Sequence, residues 1–247
     1  MNAAPADQIR LLDLQALDSR IDQLAHRKAT LPEHAEIQQR GTDLTELRSL
    51  TVAAETQLSD TKRELVKAEQ DVDQVSTRAA RNKQRMDSGA VNSAKDLANL
   101  QHEIGALAKR QSDLEDIVLE IMERLESAQT RVVEMTARRD DAAHSTAEAE
   151  SRRDAAVAEI DAEVVKVTRE RETVAAVIPE DLMKLYSKLR QTQNGVGAAR
   201  LFQRRCEGCR VELAITDLRE VRAAAPDTVV RCENCSRILI RTADSGL

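Results

Sequence analysis

Four cysteines stand in two knuckles, Cys206-Glu207-Gly208-Cys209 and Cys232-Glu233-Asn234-Cys235, with 22 residues between them. Thiolate pairs at this spacing bring four sulfurs to one tetrahedral Zn2+. Four protein ligands close the tetrahedron, so no position is left for water or substrate. The expected cofactor is therefore a single structural zinc ion, held by Cys206, Cys209, Cys232 and Cys235. Disulfides are the competing use of the same residues. Met1 to Arg10 is polar and Ala-rich, without the apolar core of a signal peptide. No apolar run approaches the roughly 18 residues needed to span a membrane. A reducing cytoplasm is the expected compartment, where paired cysteines are metal ligands more often than bridges. A thioredoxin-like reading needs a βαβ pattern around C-x-x-C, and the sequence has none.

The elements that must position these knuckles follow from composition. The chain of 247 residues has one Tyr, one Phe and no Trp. Aromatic side chains supply much of the buried area in ordinary cores, so a single compact core of this length is not expected. Charged residues reach 32%, with only 7 Gly and 4 Pro, which favours long helices with few turns. Disorder is the alternative for so polar a chain, and periodicity decides against it. From Ile37 a seven-residue spacing reads Ile37, Leu44, Thr51, Leu58, Leu65, Val72, Ala79 and Met86. Its partner series reads Leu47, Ala54, Thr61, Ala68, Val75 and Asn82. These are the a and d positions of a seam that supercoils against another helix. The pattern returns at Leu97, Leu100, Ile104, Leu107, Leu114, Val118, Ile121, Leu125, Ala128, Val132 and Met135. It thins through Ala142, Ala149 and Ala156, then strengthens at Ile160, Val164, Val167 and Val174.

Between the two series lies Asp87-Ser88-Gly89-Ala90-Val91-Asn92-Ser93, where Gly and Asn suit a helix end and Ser93 suits the next N-cap. Arms of similar length on either side fold back antiparallel, on the order of 120 Å at 1.5 Å per residue. Pro32 predicts a kink at residues 31–33, which counting back from the tip places opposite Ala142 to Ala149. The expected fold is mainly α. A long antiparallel two-helix coiled-coil hairpin covers 1–178, with its tip near 87–93. A short connecting helix covers 179–195, and a four-cysteine zinc ribbon covers 196–247. Val211 to Ile215, Thr228 to Arg231 and Ile238 to Arg241 read as strands of the ribbon. A module of this size lacks a sufficient core of its own, so zinc supplies most of its folding energy.

Charge is segregated along the chain. Residues 1–178 carry 25 Lys and Arg against 34 Asp and Glu, whereas 179–247 carry 12 against 9. Candidate contacts to a partner or to nucleic acid are Lys184, Lys188, Arg190, Arg200, Arg204, Arg205, Arg210 and Arg237. A second basic cluster near the tip comprises Arg78, Arg81, Lys83 and Arg85. Such groups neutralise phosphates and release counterions, but they equally compensate the negative zinc tetrathiolate or complement a helix C-terminus. The aromatic platform usual for single strands is reduced to Phe202 and Tyr186. Catalysis finds no support. His26, His34, His102 and His144 are scattered, without an H-E-x-x-H or triad-like arrangement. Gly195-Val196-Gly197 lacks the third glycine and preceding strand of a phosphate cradle.

The tail, Pro179…Leu185-Tyr186…Arg190…Gly195…Cys206-Glu-Gly-Cys209-Arg210…Arg231-Cys232-Glu-Asn-Cys235-Ser236-Arg237-Ile238-Leu239, resembles the bacterial zinc-ribbon coiled-coil family of flagellar-regulator, sigma-factor-binding type. The tip segment Val91-Asn92-Ser93-Ala94-Lys95-Asp96-Leu97, followed by Gln101-His102-Glu103-Ile104, is similar to that family's loop-to-helix segment. The excess of Arg over Lys, 28 to 9, suits an actinobacterial member. The resemblance implies a hairpin with a ribbon at its base, acting as a binding protein or chaperone with no enzymatic reaction. Members have been tied to an alternative sigma factor, secretion components and mRNA. Two departures stand out: Ser236 replaces the usual Gly after the last cysteine, and Ile240 replaces an aromatic. The expected function is a monomeric adaptor or chaperone for a protein partner in transcription, secretion or regulation. The alternative is a regulator that binds RNA or DNA through the basic surface of the ribbon.

Overall fold

The computed structural model describes every residue of the chain except Ala90 and Asn92. In chain order the elements are α1 (Pro5–Ala29), α2 (Pro32–Asp87), α3 (Ala94–Ala175), α4 (Glu180–Thr192), β1 (Ala198–Phe202), β2 (Arg205–Cys206), α5 (Ile215–Ala223), β3 (Val230–Arg231) and β4 (Ile238–Ile240), with a closing 3-10 turn at Ala243–Ser245. The chain is mainly α: an antiparallel helical hairpin carrying a small C-terminal β module. It divides into two compact units, Met1–His34 with Ser151–Leu247, and Ala35–Glu150.

The Ala35–Glu150 unit is the coiled coil that the heptads predict. Leu44, Thr51, Ala54, Thr61, Ala68 and Asn82 of α2 are buried, as are Leu100, Leu114, Ile121, Ala128, Met135 and Ala149 of α3. Small residues recur on the α2 side, which lets the helices approach closely while Leu, Ile and Met of α3 fill the seam. The Thr51 hydroxyl makes the usual bond to the carbonyl one turn back, Leu47, and lies 3.4 Å from the Met135 carbonyl across the seam. At the tip, Ser93 starts α3 as expected: its carbonyl receives the Leu97 amide at 3.0 Å and its hydroxyl the Asp96 amide at 3.5 Å. The expectation that Asn92 helps end the first arm falls outside the described residues.

In the other unit, α1 ends at Ala29 and Pro32 opens α2, where its missing N–H is no loss. Leu31, between them, is buried with Leu24, Ile160 and Val167, beside Ala156 and Val157. Lys28 meets Asp161 at 2.7 Å. The break therefore faces Ala156 to Ile160 and not Ala142 to Ala149. Counting one residue for one from the tip assumes 1.5 Å everywhere, but non-helical residues advance the chain by up to about 3.3 Å each.

The β module is a four-stranded sheet in the order β2-β1-β4-β3. Its centre is a parallel pair, Ala198–Arg200 beside Ile238–Ile240, flanked by antiparallel partners. The chain's first residues extend the outer edge. Asn2 bridges Thr228, the Ala3 amide donates to Asp227 O at 2.8 Å, and the Val229 amide donates to Met1 O at 3.1 Å. Three strand assignments change, one of them β2, which no expected strand covers. Val211 to Ile215 is not a strand: Glu212 makes a single bridge to Arg205 and Ile215 begins α5. Its β-branched residues signal a strand, but only Leu213 of the segment is buried, so packing gives it no partner. Ala198–Phe202, which opens on two alanines and carries little β signal, is the central strand because both its faces are covered. One face packs Ala198, Ile238 and Ile240 against Leu11 and Leu14 of α1 and Leu182, Tyr186 and Leu189 of α4. The other packs Ala199, Leu201 and Leu239 against Leu213, Val221 and the buried cysteines.

Candidate metal centre and its supports

The two knuckles repeat one backbone pattern. The Cys206 amide donates to Val211 O and the Arg210 amide to Cys206 O, at 3.0 and 2.7 Å. The Cys232 amide donates to Arg237 O and the Ser236 amide to Cys232 O, again at 3.0 and 2.7 Å. Each closing residue is left-handed, Arg210 at φ 63° and Ser236 at φ 60°. The serine thus adopts the conformation for which glycine is favoured, and the turn forms without it. Replacing Ser236 by Gly is expected to stabilise the loaded ribbon by about 0.5–1 kcal/mol, because the strain of a Cβ at positive φ disappears. Chemical denaturation of the zinc-loaded protein with matched m-values checks this, and an unchanged midpoint would show that the turn carries no strain.

The four Sγ atoms lie within 4.8 Å of one another. Cys206 Sγ is 3.9 Å from Cys235 Sγ, and Cys209 Sγ is 3.8 Å from Cys232 Sγ. A tetrahedron with Zn–S bonds of about 2.3 Å has edges of about 3.8 Å, so the sulfurs stand where one Zn2+ requires them. Among the described residues, no other group of three or more metal-ligating side chains converges. Burial pushes the Cys206 and Cys232 thiols up. At Cys235 burial acts the same way, but the Arg237 amide and guanidinium, with the Cys232 and Cys209 thiols, outweigh it and bring the group down to about 7. Gly208 is required by space: a Cβ there would stand 2.7 Å from Arg237 Cδ and 2.9 Å from Ala199 Cβ.

The hairpin between β1 and β2 positions the first knuckle. Its turn residues Gln203 and Arg204 are both left-handed, φ 46° and 67°, a geometry usually given to Asn-Gly. The C-terminal turn braces it, with the Gln203 and Arg204 amides donating to Asp244 O and Ser245 O at 2.8 Å each. Behind the second knuckle, Arg241 donates to five carbonyls, those of Val221, Ala224, Ala225, Pro226 and Thr228, at 2.7 to 3.3 Å. That guanidinium closes the C-terminus of α5 and the loop into β3.

A second polar cluster ties α1, α3 and α4 together beside the sheet. The Asp18 carboxylate, 2% exposed, receives Arg171 Nε at 2.6 Å and the Tyr186 hydroxyl at 2.6 Å, with Arg190 Nε at 3.5 Å. Gln15 accepts the Gly197 amide at 2.7 Å and donates to Gly195 O at 2.9 Å. Burial, then the bond to Asp18, holds the Tyr186 phenol far above its ordinary range. Asp18, Gln15, Arg171 and Arg241 were not singled out from sequence. Tyr186 stands out in the sequence as the one tyrosine and as part of the tail motif, and nothing local marks the other four.

The structure sorts the basic residues. Arg190 reaches Asp22 at 2.7 Å as well as Asp18. Arg200 pairs with Glu207 at 3.1 Å and lies 4.8 Å over the Phe202 ring. Lys184 pairs with Glu180 at 2.7 Å. Arg237 donates to Val196 O and Gln193 O at 3.0 and 2.9 Å. Lys188, Arg204, Arg205 and Arg210 are exposed. Near the tip, Arg78 pairs with Glu103 at 2.5 Å, and Arg81, Lys83 and Arg85 are exposed.

Fold and site together define a coiled-coil hairpin protein with a four-cysteine structural zinc ribbon. The chain belongs to the family of the CT398-like coiled coil hairpin domain, which matches residues 14–194, and residues 205–239 match the C4-type zinc ribbon domain. A solved structure from Mycobacterium smegmatis is 33% identical with a TM-score of 0.83, over 98% of this chain and 100% of that one. CT398 from Chlamydia trachomatis shares the fold at 19% identity and a TM-score of 0.71, over 96% of this chain and 98% of that one. HP0958 from Helicobacter pylori shares it at 16% identity and a TM-score of 0.51, over 97% and 98%. The Mycobacterium tuberculosis protein Rv2229c is 40% identical over 86 residues, a match spanning 35% of this chain and 35% of that protein's length. Among the described residues no helix is long and apolar enough to cross a membrane.

Proposed function

We propose that this chain is a non-catalytic adaptor or chaperone of the cytoplasm that binds a protein partner. The zinc site supports the non-catalytic part, since four thiolates leave the metal no open position for chemistry. The observation that carries the choice of partner is the disposition of the basic residues. Arg190 and Arg237 are held by carboxylates and carbonyls of the chain itself, and Arg200 and Lys184 have surface ion-pair partners, which reduces the cationic surface open to a phosphate backbone. The second reading, nucleic-acid binding, rests on Arg204, Arg205 and Arg210. All three are exposed beside the first knuckle, and Arg204 and Arg210 are left-handed; non-glycine strain of this kind gathers at functional sites.

Affinity capture of the tagged full-length protein, with and without nuclease and beside Cys206→Ser, separates the two. A nuclease-resistant protein lost in the variant supports the adaptor. Directly crosslinked nucleic acid with no surviving protein, bound with a steep loss of affinity on adding salt and abolished by Arg204→Glu with Arg205→Glu, supports the second reading instead.

A further inference from the structure

The coiled coil of the Ala35–Glu150 unit has two unlike flanks. With Thr51, Leu58 and Leu65 at a and Ala54, Thr61 and Ala68 at d, Glu64 and Arg78 fall at g. On α3, with Val118, Leu125 and Val132 at a, Arg124 and Glu103 also fall at g. The cross-helix pairs Glu64–Arg124 and Arg78–Glu103, at 2.7 and 2.5 Å, therefore lie on one flank, as antiparallel packing requires of g residues. The opposite flank belongs to the e residues and, outside them, the b residues. There stand Val52, Val66, Leu119, Met122 and Val133, between 50% and 69% exposed.

Thr51 opposite Met135 sets the level of each residue. Val66 then comes level with Leu119 and Met122, and Val52 comes level with Val133. The result is two apolar patches on one flank, 14 residues or about 21 Å apart along the helices. The e and b positions around them carry Glu55, Glu69, Glu115 and Glu126 against two cations, Arg48 and Lys62. An exposed apolar stripe with a polar rim marks an interaction surface, and the rim states its occupant. A second copy would bring the same carboxylates against these; a cationic helix would pair with them.

We propose that this e/b flank is the docking surface for a basic amphipathic helix of the partner protein, its apolar face laid along Val66–Leu119–Met122 and Val52–Val133. The proposal rests on the adaptor reading and gives the chemistry of its partner. Anchors spaced by heptads on one face are how helix-in-groove recognition works.

The test uses the zinc-loaded full chain and a labelled Leu/Lys helical peptide of roughly 20 residues, about 30 Å long, with its Leu/Glu counterpart as control. The Leu/Lys peptide is expected to bind and the Leu/Glu peptide not to. Leu119→Ser with Met122→Ser is expected to weaken binding about tenfold or more, the scale of losing a central anchor. Glu115→Lys with Glu126→Lys is expected to reverse the peptide preference. Leu50→Ser with Ile117→Ser, at g positions on the other flank, is expected to change nothing. Circular dichroism confirms that each variant stays helical. Equal binding of both peptides, or indifference to Leu119→Ser with Met122→Ser, overturns the proposal. So does a concentration-dependent dimer that this variant dissolves, since the flank then belongs to a second copy. A native protein captured equally well by this variant defeats the stripe and leaves the adaptor reading standing. Specific peptide binding with no protein in the capture defeats the adaptor reading alone.

Discussion

Stripping zinc with a chelator is expected to unfold residues 196–247 while the Ala35–Glu150 coiled coil keeps its helices. Zinc binding in small ribbon modules is worth about 10–16 kcal/mol near neutral pH, far above the stability that this sheet gains from short strands. Leu201, Leu213, Val221 and Leu239 form a small cluster completed by Cys206 and Cys232, so losing the ion leaves buried sulfurs facing one another with nothing between them. The far-ultraviolet signal should fall only modestly, because most helical residues lie outside the ribbon. Amide exchange in Ala198–Phe202 and Ile238–Ile240 should become fast, and all four thiols should react with a thiol reagent. Protection of those strands in the chelated protein would show that the sheet is held by α1 and α4 instead. Proton linkage follows from the thiols. Burial holds Cys206 and Cys232 protonated in the metal-free site at neutral pH, while Cys235 titrates near 7. Zinc takes thiolates, so loading at neutral pH releases protons. Apparent affinity rises with pH and falls as the solution is acidified. Calorimetry in buffers of different ionisation enthalpy counts the protons, and an uptake or a null count would contradict this arrangement.

The second large effect is expected at Asp18. Its carboxylate holds Arg171 and the Tyr186 hydroxyl at 2.6 Å each. Asp18→Ala should cost about 3–5 kcal/mol, because the Arg171 guanidinium and a buried phenol lose their acceptor together and Arg190, which keeps Asp22, loses a neighbouring charge. Arg171 and Arg190 are each 27% exposed, so water recovers part of their solvation and the lower end of that range applies. A fall in Tm of roughly 10 °C follows for a chain of this length. Tyr186→Phe alone should cost about 1–3 kcal/mol, the scale of one hydrogen bond to a charged group. In the double variant the two losses should not add, since both remove the same bond. Simple additivity in that cycle would mean that Asp18 acts through the arginines alone. Amide exchange should localise the damage to α1 and α4, leaving the zinc knuckles loaded.

Sequence patterns reached far into this fold, for different reasons in different places. Every heptad position from Ile37 to Met86 is buried or half-buried, because a two-helix seam is a local, periodic problem: each residue's neighbour is set by its place in the repeat. The zinc ligands were legible for a similar reason, as metal geometry dictates both residue type and spacing. The strands were less so. Ala198–Phe202 is central only because β4, far along the chain, lies parallel to it and helices cover it. Val211 carries strand propensity but finds no ladder. The Ala3 amide's bond to Asp227 O crosses nearly the whole chain, and no local signal foretells it.

By itself, the sequence determined the helical hairpin, the position of its tip, the four-thiolate site and the closed chemistry of that site. Periodicity and ligand spacing are written in consecutive residues. Tertiary structure alone decided that Asp18, Gln15, Arg171 and Arg241 are supports, and that Arg190, Arg200 and Arg237 find carboxylates and carbonyls within the chain. It also decided which apolar residues of the coiled coil remain on the surface. Those outcomes depend on partners distant in sequence, and a charge or a methyl group carries no mark of what will stand beside it once the chain has folded.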